Sequence, residues 1–276
     1  MSTWMITGSS SGLGRALAEE VLAAGHNVVA TARNASAVQD LADRYPDHAA
    51  AVSLDVTDTA ALPDAVHAAE RAFAGVDVLV NNAGYGYVAA VEEGEDDAVD
   101  RLFATNFLGP VALIKEVLPG MRARGSGTIV NVSSVGARTT IPGGGYYSAA
   151  KAALEGLSGS LRREVEPLGL HVMVVEPGSF RTDFRGRSAE RSARTIAAYD
   201  SVLGRDGSSP PSPQRGDPAK AARAILAAVG ARRPPRLLLL GSDALEGFQA
   251  HADVEHDDTN RFMDLTLSTD ADPHER

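Results

Sequence analysis

Tyr147 and Lys151 stand four residues apart in a stretch, about 146–166, whose apolar spacing predicts a helix, so both side chains fall on one face. A phenol beside an ammonium is an acid–base pair. In water a phenol ionises near 10, too high for efficient proton transfer at neutral pH. A neighbouring ammonium stabilises the phenolate and lowers that value. The coincidence is a rare one, because the 276 residues include six tyrosines and only three lysines, Lys115, Lys151 and Lys220. Arginine meets the generic need for positive charge elsewhere, which invites a specific role for each lysine. Tyr146 has no lysine four residues on. Ser134 precedes Tyr147 by thirteen residues, at the end of a predicted strand, where its hydroxyl can hold a substrate oxygen. The chemistry this set suits is protonation of a carbonyl oxygen as hydride reaches its carbon, with the hydride supplied by a cofactor. A core tyrosine and a surface lysine are the plainer readings of each residue singly.

A second constellation supplies a place for that cofactor. Thr7-Gly8-Ser9-Ser10-Ser11-Gly12-Leu13-Gly14 lies where the first predicted strand meets the first helix. Glycines there permit positive φ and a close approach of backbone to ligand. The helix N-terminus offers free N–H groups and partial positive charge to a phosphate. In a chain that continues βαβ, this indicates a dinucleotide site rather than a bare tight turn. Gly8 to Gly12 also fits the G-x-S-x-G nucleophile elbow, with Ser10 as nucleophile. That elbow draws its oxyanion hole from earlier strands, for which the seven residues before Gly8 leave no room. At the end of the second strand, where a carboxylate would bind the ribose 2′-hydroxyl, stand Ala32 and Arg33. A guanidinium suits a 2′-phosphate, so NADP(H) is expected in preference to NAD(H). The competing reading of Arg33 is a solvated surface arginine.

The elements that must position these residues follow from periodicity. Predicted strands cover 3–7, 27–32, 50–54, 76–80, 128–132, 171–175 and 236–240. Predicted helices cover 12–24, 36–44, a span from a cap at Thr57 or Asp58 to Phe73, then 96–107, 110–124, 146–166 and 217–229. Strands apolar throughout, alternating with helices, indicate an α/β fold: a doubly wound, Rossmann-type parallel sheet of about seven strands with helices on both faces. Residues 1–250 are expected to form one dinucleotide-binding catalytic domain. Residues 183–215 read as a substrate lid, 207–218 as a flexible Gly/Ser/Pro-rich connection, and 251–276 as a weakly packed acidic tail.

With these motifs in place, the chain resembles the short-chain dehydrogenase/reductase family of the single-domain type, over roughly residues 3–242. The resemblance rests on TGxxxGxG at Thr7 to Gly14, NNAG at Asn81 to Gly84, and Y-x-x-x-K at Tyr147 to Lys151. It implies that Tyr147 is the general acid or base. Lys151 would bind the nicotinamide ribose and lower the Tyr147 pKa, Ser134 would position the substrate oxygen, and Asn106 would help hold a proton-relaying water. It further implies that Gly8, Ser10, Ser11, Gly12, Leu13, Gly14, Asn82, Ala83 and Gly84 line the cofactor. Asp55 and Val56 would contact adenine, and Pro177, Gly178, Phe180 and Thr182 belong to the segment holding the carboxamide. A homodimer or homotetramer is the family expectation.

Composition narrows the partners. A formal net charge of −10 disfavours nucleic acid and anionic membranes. The sequence shows no run expected to span a bilayer and no secretory pattern at its start, and it has no cysteine, which suits a reducing cytoplasm. His251, His256 and His274 lie among acids at spacings that match no metal site, so no metal is expected. The seven arginines of 181–215 read as a solvated face in preference to an anion funnel. Tyr85, Tyr87, Phe180 and Phe184 are open between pocket wall and core. The partner expected is a small carbonyl or alcohol of undetermined identity. A nucleotide-responsive binding protein without turnover is the rival reading.

Overall fold

The computed structural model describes residues 1–186, 188–205 and 213–271. Seven apolar runs form one parallel sheet: Thr3–Ile6 (β1), Asn27–Ala32 (β2), Ala49–Ser53 (β3), Val78–Asn81 (β4), Gly127–Val132 (β6), Leu170–Pro177 (β7) and Leu237–Leu240 (β9). Their order is β3-β2-β1-β4-β6-β7-β9, with every adjacent pair parallel. The order reverses direction between β1 and β4, and a crevice opens at such a switch, beyond the C-terminal strand ends.

Alternation along the strands feeds two cores. Trp4, Ile6, Val28, Ala30 and Val130 bury one face against Leu17, Val21 and Leu22 of Gly12–Ala23 (α1) and Ala222 and Ile225 of Pro218–Val229 (α7). Met5, Val29, Leu79, Ile129 and Val172 bury the other against Leu62–Phe73 (α3), Gly109–Arg124 (α5) and Gly145–Val165 (α6). Burial on both faces is why these strands read as continuous apolar runs.

Several elements differ from the sequence expectation. Gly86–Val88 (β5) and Ala189–Arg191 (β8) pair in parallel as a separate two-stranded sheet. Runs of three residues carry no readable period. The 36–44 stretch divides into a 3-10 turn at Ala35–Ala37 and Gln39–Arg44 (α2). Helix α3 begins at Leu62, with Pro63 in its first turn, rather than at Thr57 or Asp58. Those two residues sit in a turn, where the Thr57 N–H donates to Asp55 Oδ1 at 2.9 Å and Asp58 Oδ1 accepts from the Ala60 N–H at 3.2 Å. The 96–107 helix is Asp96–Phe103 (α4), followed by a π-helical turn at Ala104–Leu108 that runs into α5.

Asp96–Arg124 is therefore one helical run of 29 residues, long and apolar enough by length and composition to cross a bilayer, where the sequence reading expects none. In the fold, its Leu113, Ile114, Val117 and Met121 are buried in the second core.

The C-terminal region is helical, as Ser242–Arg261 (α8) and Met263–Leu267 (α9). Only its start is packed: Ala244 is buried, whereas residues 252–271 are exposed throughout. Of the 207–218 connection, residues 207–212 lie outside the described residues. Its end is fixed by Asp217, whose side chain accepts from the Ala219 and Lys220 N–H groups to cap α7.

Candidate active site

The site is stitched together from the first two motifs. Thr7 Oγ1 accepts from the N–H groups of Asn82 and Ala83, both at 2.9 Å. Asn82 Nδ2 donates back to the Thr7 carbonyl at 2.8 Å. These bonds tie the end of β1 to the end of β4, across the switch. Gly8 turns the chain at φ +69°, a left-handed value that favours glycine. Gly14 is required by space: a Cβ there would lie 2.6 Å from the Gly8 carbonyl and would run into Asn82 Nδ2. Helix α1 starts with no side-chain cap and no acidic residue in its first turn, so its N–H groups face the crevice unopposed.

That crevice is a cavity of about 630 Å³. Ser10, Ser11, Gly12 and Leu13 line it with Gly8 at the α1 end, and Arg33, Asp55 and Val56 line it beyond β2 and β3. Arg33 is exposed and, among the described residues, makes no ion pair. Asn82, Ala83 and Gly84 form the floor beyond β4, and Pro177, Gly178, Phe180 and Thr182 form the wall beyond β7. Ser134, Tyr147 and Lys151 complete the lining. Two expected site residues do not reach it. Gly14 packs behind the turn, and Asn106 is buried beneath Tyr85.

Asn106 Nδ2 donates to the Tyr85 carbonyl at 2.8 Å, and its Oδ1 accepts from the Tyr85 N–H at 3.1 Å. Its amide is spent on holding the chain after NNAG, and the π turn carries it there. It still adjoins the lysine: a Cβ on Gly84 would lie 3.1 Å from Asn106 Oδ1 and 3.4 Å from Lys151 Nζ.

Tyr147 sits in the first turn of α6 and Lys151 one turn on. The Lys151 Nζ donates to the Val132 carbonyl at the end of β6, at 2.9 Å, and lies 5.8 Å from the centre of the Tyr147 ring. Ser134 adjoins Tyr147: a Cβ on Gly136 would lie 3.2 Å from Ser134 Oγ and 3.7 Å from Tyr147 Cε1. Burial disfavours charge on both residues. It pushes the Tyr147 phenol up to about 12, against the opposing influence of the Ser134 hydroxyl. It pushes the Lys151 ammonium down to about 8, against the attraction of Glu155. Further positive charge brought beside the phenol would lower its pKa again.

The remaining wall is aromatic and polar. The Phe184 ring lies 5.8 Å from that of Tyr147, and Tyr85, Ser188 and Glu190 line the same cavity. Tyr87 is core, 2 % exposed, with its hydroxyl on Glu95. Among the described residues no three His, Asp or Glu side chains gather as a metal site, and His274 lies outside them.

The uncapped helix end, the glycine turn and the exposed guanidinium fit a dinucleotide, with phosphates at α1 and a ribose at Arg33. Residues 2–193 match the short chain dehydrogenase family. The chain belongs to that family. This short-chain dehydrogenase is 37% identical over 273 residues to Oxidoreductase BOA17 of Botryotinia fuckeliana, spanning 96% of this chain and 98% of that one. In structure it is similar to a short-chain dehydrogenase from Streptomyces avermitilis, with TM-score 0.91, 42% identity, and 98% of this chain and 100% of that one covered. It is also similar to a Burkholderia cenocepacia short chain dehydrogenase in complex with NADP, at TM-score 0.73 and 25% identity, covering 94% and 96% of the two chains. The short-chain dehydrogenase is accordingly an oxidoreductase of CH–OH groups that uses a nicotinamide cofactor.

Sequence reasoning missed the residues that hold the site from behind. Asp243, at the start of α8, accepts from the Ser179 N–H at 2.6 Å and fills the space a Cβ on Gly178 would need. Ser133, Arg138, Glu155 and Glu176 form a polar cluster beneath Lys151. Glu155 carried one legible signal, its place four residues beyond Lys151 on the same helical stripe.

Proposed function

We propose that this short-chain dehydrogenase interconverts a ketone or aldehyde and an alcohol with NADP(H), and that Tyr147 is the group that gives and takes the proton. The observation that carries this reading is the meeting of Tyr147, Lys151 and Ser134 in one cavity with the uncapped end of α1. The bound cofactor supplies the hydride and, when oxidised, a positive charge beside the phenol. Gly8, Ser10, Ser11, Gly12 and Leu13 hold its phosphates, and Lys151 holds a ribose. Arg33 pairs with a 2′-phosphate, and Asp55 and Val56 flank the adenine. Asn82, Ala83, Gly84, Pro177, Gly178, Phe180 and Thr182 hold the nicotinamide end.

In the reducing direction Ser134 and Tyr147 hydrogen-bond the carbonyl oxygen, and Tyr147 passes its proton to that oxygen as the carbon gains hydride. The phenolate left on Tyr147 is stabilised by the Lys151 ammonium and then regains a proton. Because the Asn106 amide is engaged with Tyr85, a relay water beside Lys151 would be held by main-chain atoms of the π turn. NADP complexed to the Burkholderia relative supports the cofactor assignment, as does the exposed Arg33 after β2. We also propose self-association as a homodimer or homotetramer, in keeping with exposed Phe262, Met263, Leu265 and Leu267; sedimentation gives the mass directly.

The test is a panel of steroid, polyketide, sugar and aliphatic carbonyls, with NADPH absorbance followed. Turnover of one class by the native chain, and its loss in Tyr147→Phe with NADPH binding retained, is the expected result. Tyr147→Phe turning over at the native rate would sink the mechanism, and binding of NADPH without turnover of any carbonyl would favour the binding-protein reading.

A further inference from the structure

Tyr87 buries its side chain in the core, so its neighbours on β5, Gly86 and Val88, present the opposite face of that strand. Phe184 covers Gly86 there, and its backbone is fixed on both sides. Thr182 Oγ1 accepts from the Phe184 N–H at 3.3 Å, and a Cβ on Gly12 would lie 3.5 Å from the Thr182 Cβ, so the 3-10 turn at Asp183–Arg185 starts against the glycine turn. Further on, the Gly86 N–H donates to the Ser188 carbonyl at 2.9 Å, and Ala189 pairs with Gly86. The Phe184 ring is thereby brought beside the phenol, 5.8 Å from the Tyr147 ring between centres and tilted by 58°.

Gly86 leaves room next to that ring. Its φ is not in the left-handed range. A Cβ on it would stand 3.6 Å from Phe184 Cε1 and 3.8 Å from the Ala189 Cβ, an ordinary contact distance. Neither backbone nor packing demands glycine at 86, so what the missing side chain provides is width. Two residues on, the same face is closed. Val88 and Leu203 crowd Gly143, where a Cβ would lie 3.2 Å from Val88 Cγ1 and 2.8 Å from Leu203 Cδ2. The result is a short slot, walled by the Phe184 ring and aliphatic carbons, that opens on Tyr147. Phe184 and Tyr85 line the same cavity as Tyr147 and Ser134. A carbonyl whose oxygen rests on Tyr147 and Ser134 has its substituent against Phe184. Aromatic rings meet edge-on or offset with a gain beyond the area they bury, which a saturated ring of equal size does not share.

We propose that Phe184 is a specificity-determining residue: its ring selects carbonyls attached to a single aromatic ring over saturated carbonyls of the same size. The proposal rests on the reading of this site as a carbonyl reductase centred on Tyr147, but the preference is a property of binding and is read without turnover.

The probes are benzyl alcohol and cyclohexylmethanol, titrated into the protein loaded with NADPH and followed by ligand-observed NMR. An alcohol beside a reduced cofactor has no acceptor for its hydride, so the complex reports affinity alone. The native chain is expected to bind benzyl alcohol about fivefold more tightly than cyclohexylmethanol, Phe184→Tyr to keep that ratio, and Phe184→Leu to bring it to about one. Weakening of both alcohols alike in Phe184→Leu, with the ratio kept, would give the ring a merely structural role and overturn the proposal. So would a native chain that holds cyclohexylmethanol as tightly as benzyl alcohol, or that holds neither. If Phe184→Leu does not fold, Phe184→Met makes the same comparison. Native-rate turnover by Tyr147→Phe would end the proton role and leave the ratio of affinities intact, so the two failures are told apart.

Discussion

Burial works against charge on both Tyr147 and Lys151. The phenol is pushed up to about 12 and the ammonium down to about 8. The consequence for rate is that carbonyl reduction should fall as pH rises through about 8, when Lys151 loses the charge that stabilises the phenolate; rates of NADPH oxidation against pH check this. The consequence for stability has the opposite sense. The unfolded lysine binds its proton up to 10.5 and the folded one only up to about 8, so between those values the unfolded state holds more protons and stability rises with pH. Lys151→Met should therefore abolish turnover yet melt roughly 2–4 °C higher at neutral pH without cofactor, for each kcal/mol of relieved burial. An unchanged or lower melting temperature would show that the Val132 bond outweighs the buried charge. These two residues were legible in the sequence because their chemistry is rare and their spacing local. Glu176, Arg138 and Asp243 were not, because each acts through partners 17 or more residues away and has no local pattern.

At the scale of elements, the segment after β7 is a pinned wall. Glu95 Oε1 accepts from Ser192 Oγ and the Ala193 and Arg194 N–H groups, all at 3.0–3.2 Å. Glu93 accepts from the Ile196 N–H at 2.6 Å and pairs with both ends of the Arg205 guanidinium. Arg205 is thus a structural tether, and Arg181 pairs with Asp217, so these two arginines are neither an anion funnel nor a bare solvated face. Arg205 holds the Glu93 carboxyl down at about 2, and the Tyr87 hydroxyl does the same for Glu95. Both lie below the ordinary 4.5, so their contribution to stability is complete above about 4.5 and is lost as pH falls toward 2. Pepsin should accordingly spare residues 188–205 near pH 4.5 and cut them near pH 2, and Glu93→Gln should be cut already at the higher pH. Equal cleavage of native and variant protein at both values would show that other contacts hold the wall. In sequence the two glutamates resemble solvated surface charges, and strands β5 and β8 are too short to show a period. The seven longer strands were legible because both their faces are buried.

The whole molecule joins its catalytic sheet to an acidic C-terminal helix, and the two halves of α8 do different work. The first half carries Asp243 against the Gly178-Ser179 turn and Phe248 beneath Arg138. The second half and α9 are exposed and hold most of the acidic excess: from His251 on, the sequence has eight acids and two arginines. The acidity of the chain therefore says little about the mouth of the cavity, where Arg33 is exposed. It also divides the end of the chain at a place that composition does not mark, because the sequence turns acidic at residue 251 whereas the packing thins part-way along a continuous helix. A chain ending at residue 257 keeps every contact described between α8 and the site, so it should retain NADPH affinity and turnover within about twofold, a change of under ~0.5 kcal/mol. A chain ending at residue 241 loses the carboxylate that holds the Ser179 N–H and bares the Arg138 guanidinium. NADPH titration should then show affinity weakened by about tenfold or more, the effect of losing a hydrogen bond to a charged group. Equal affinity in the two shortened chains would mean that the Pro177-Gly178 wall keeps its shape from β7 and β9 alone.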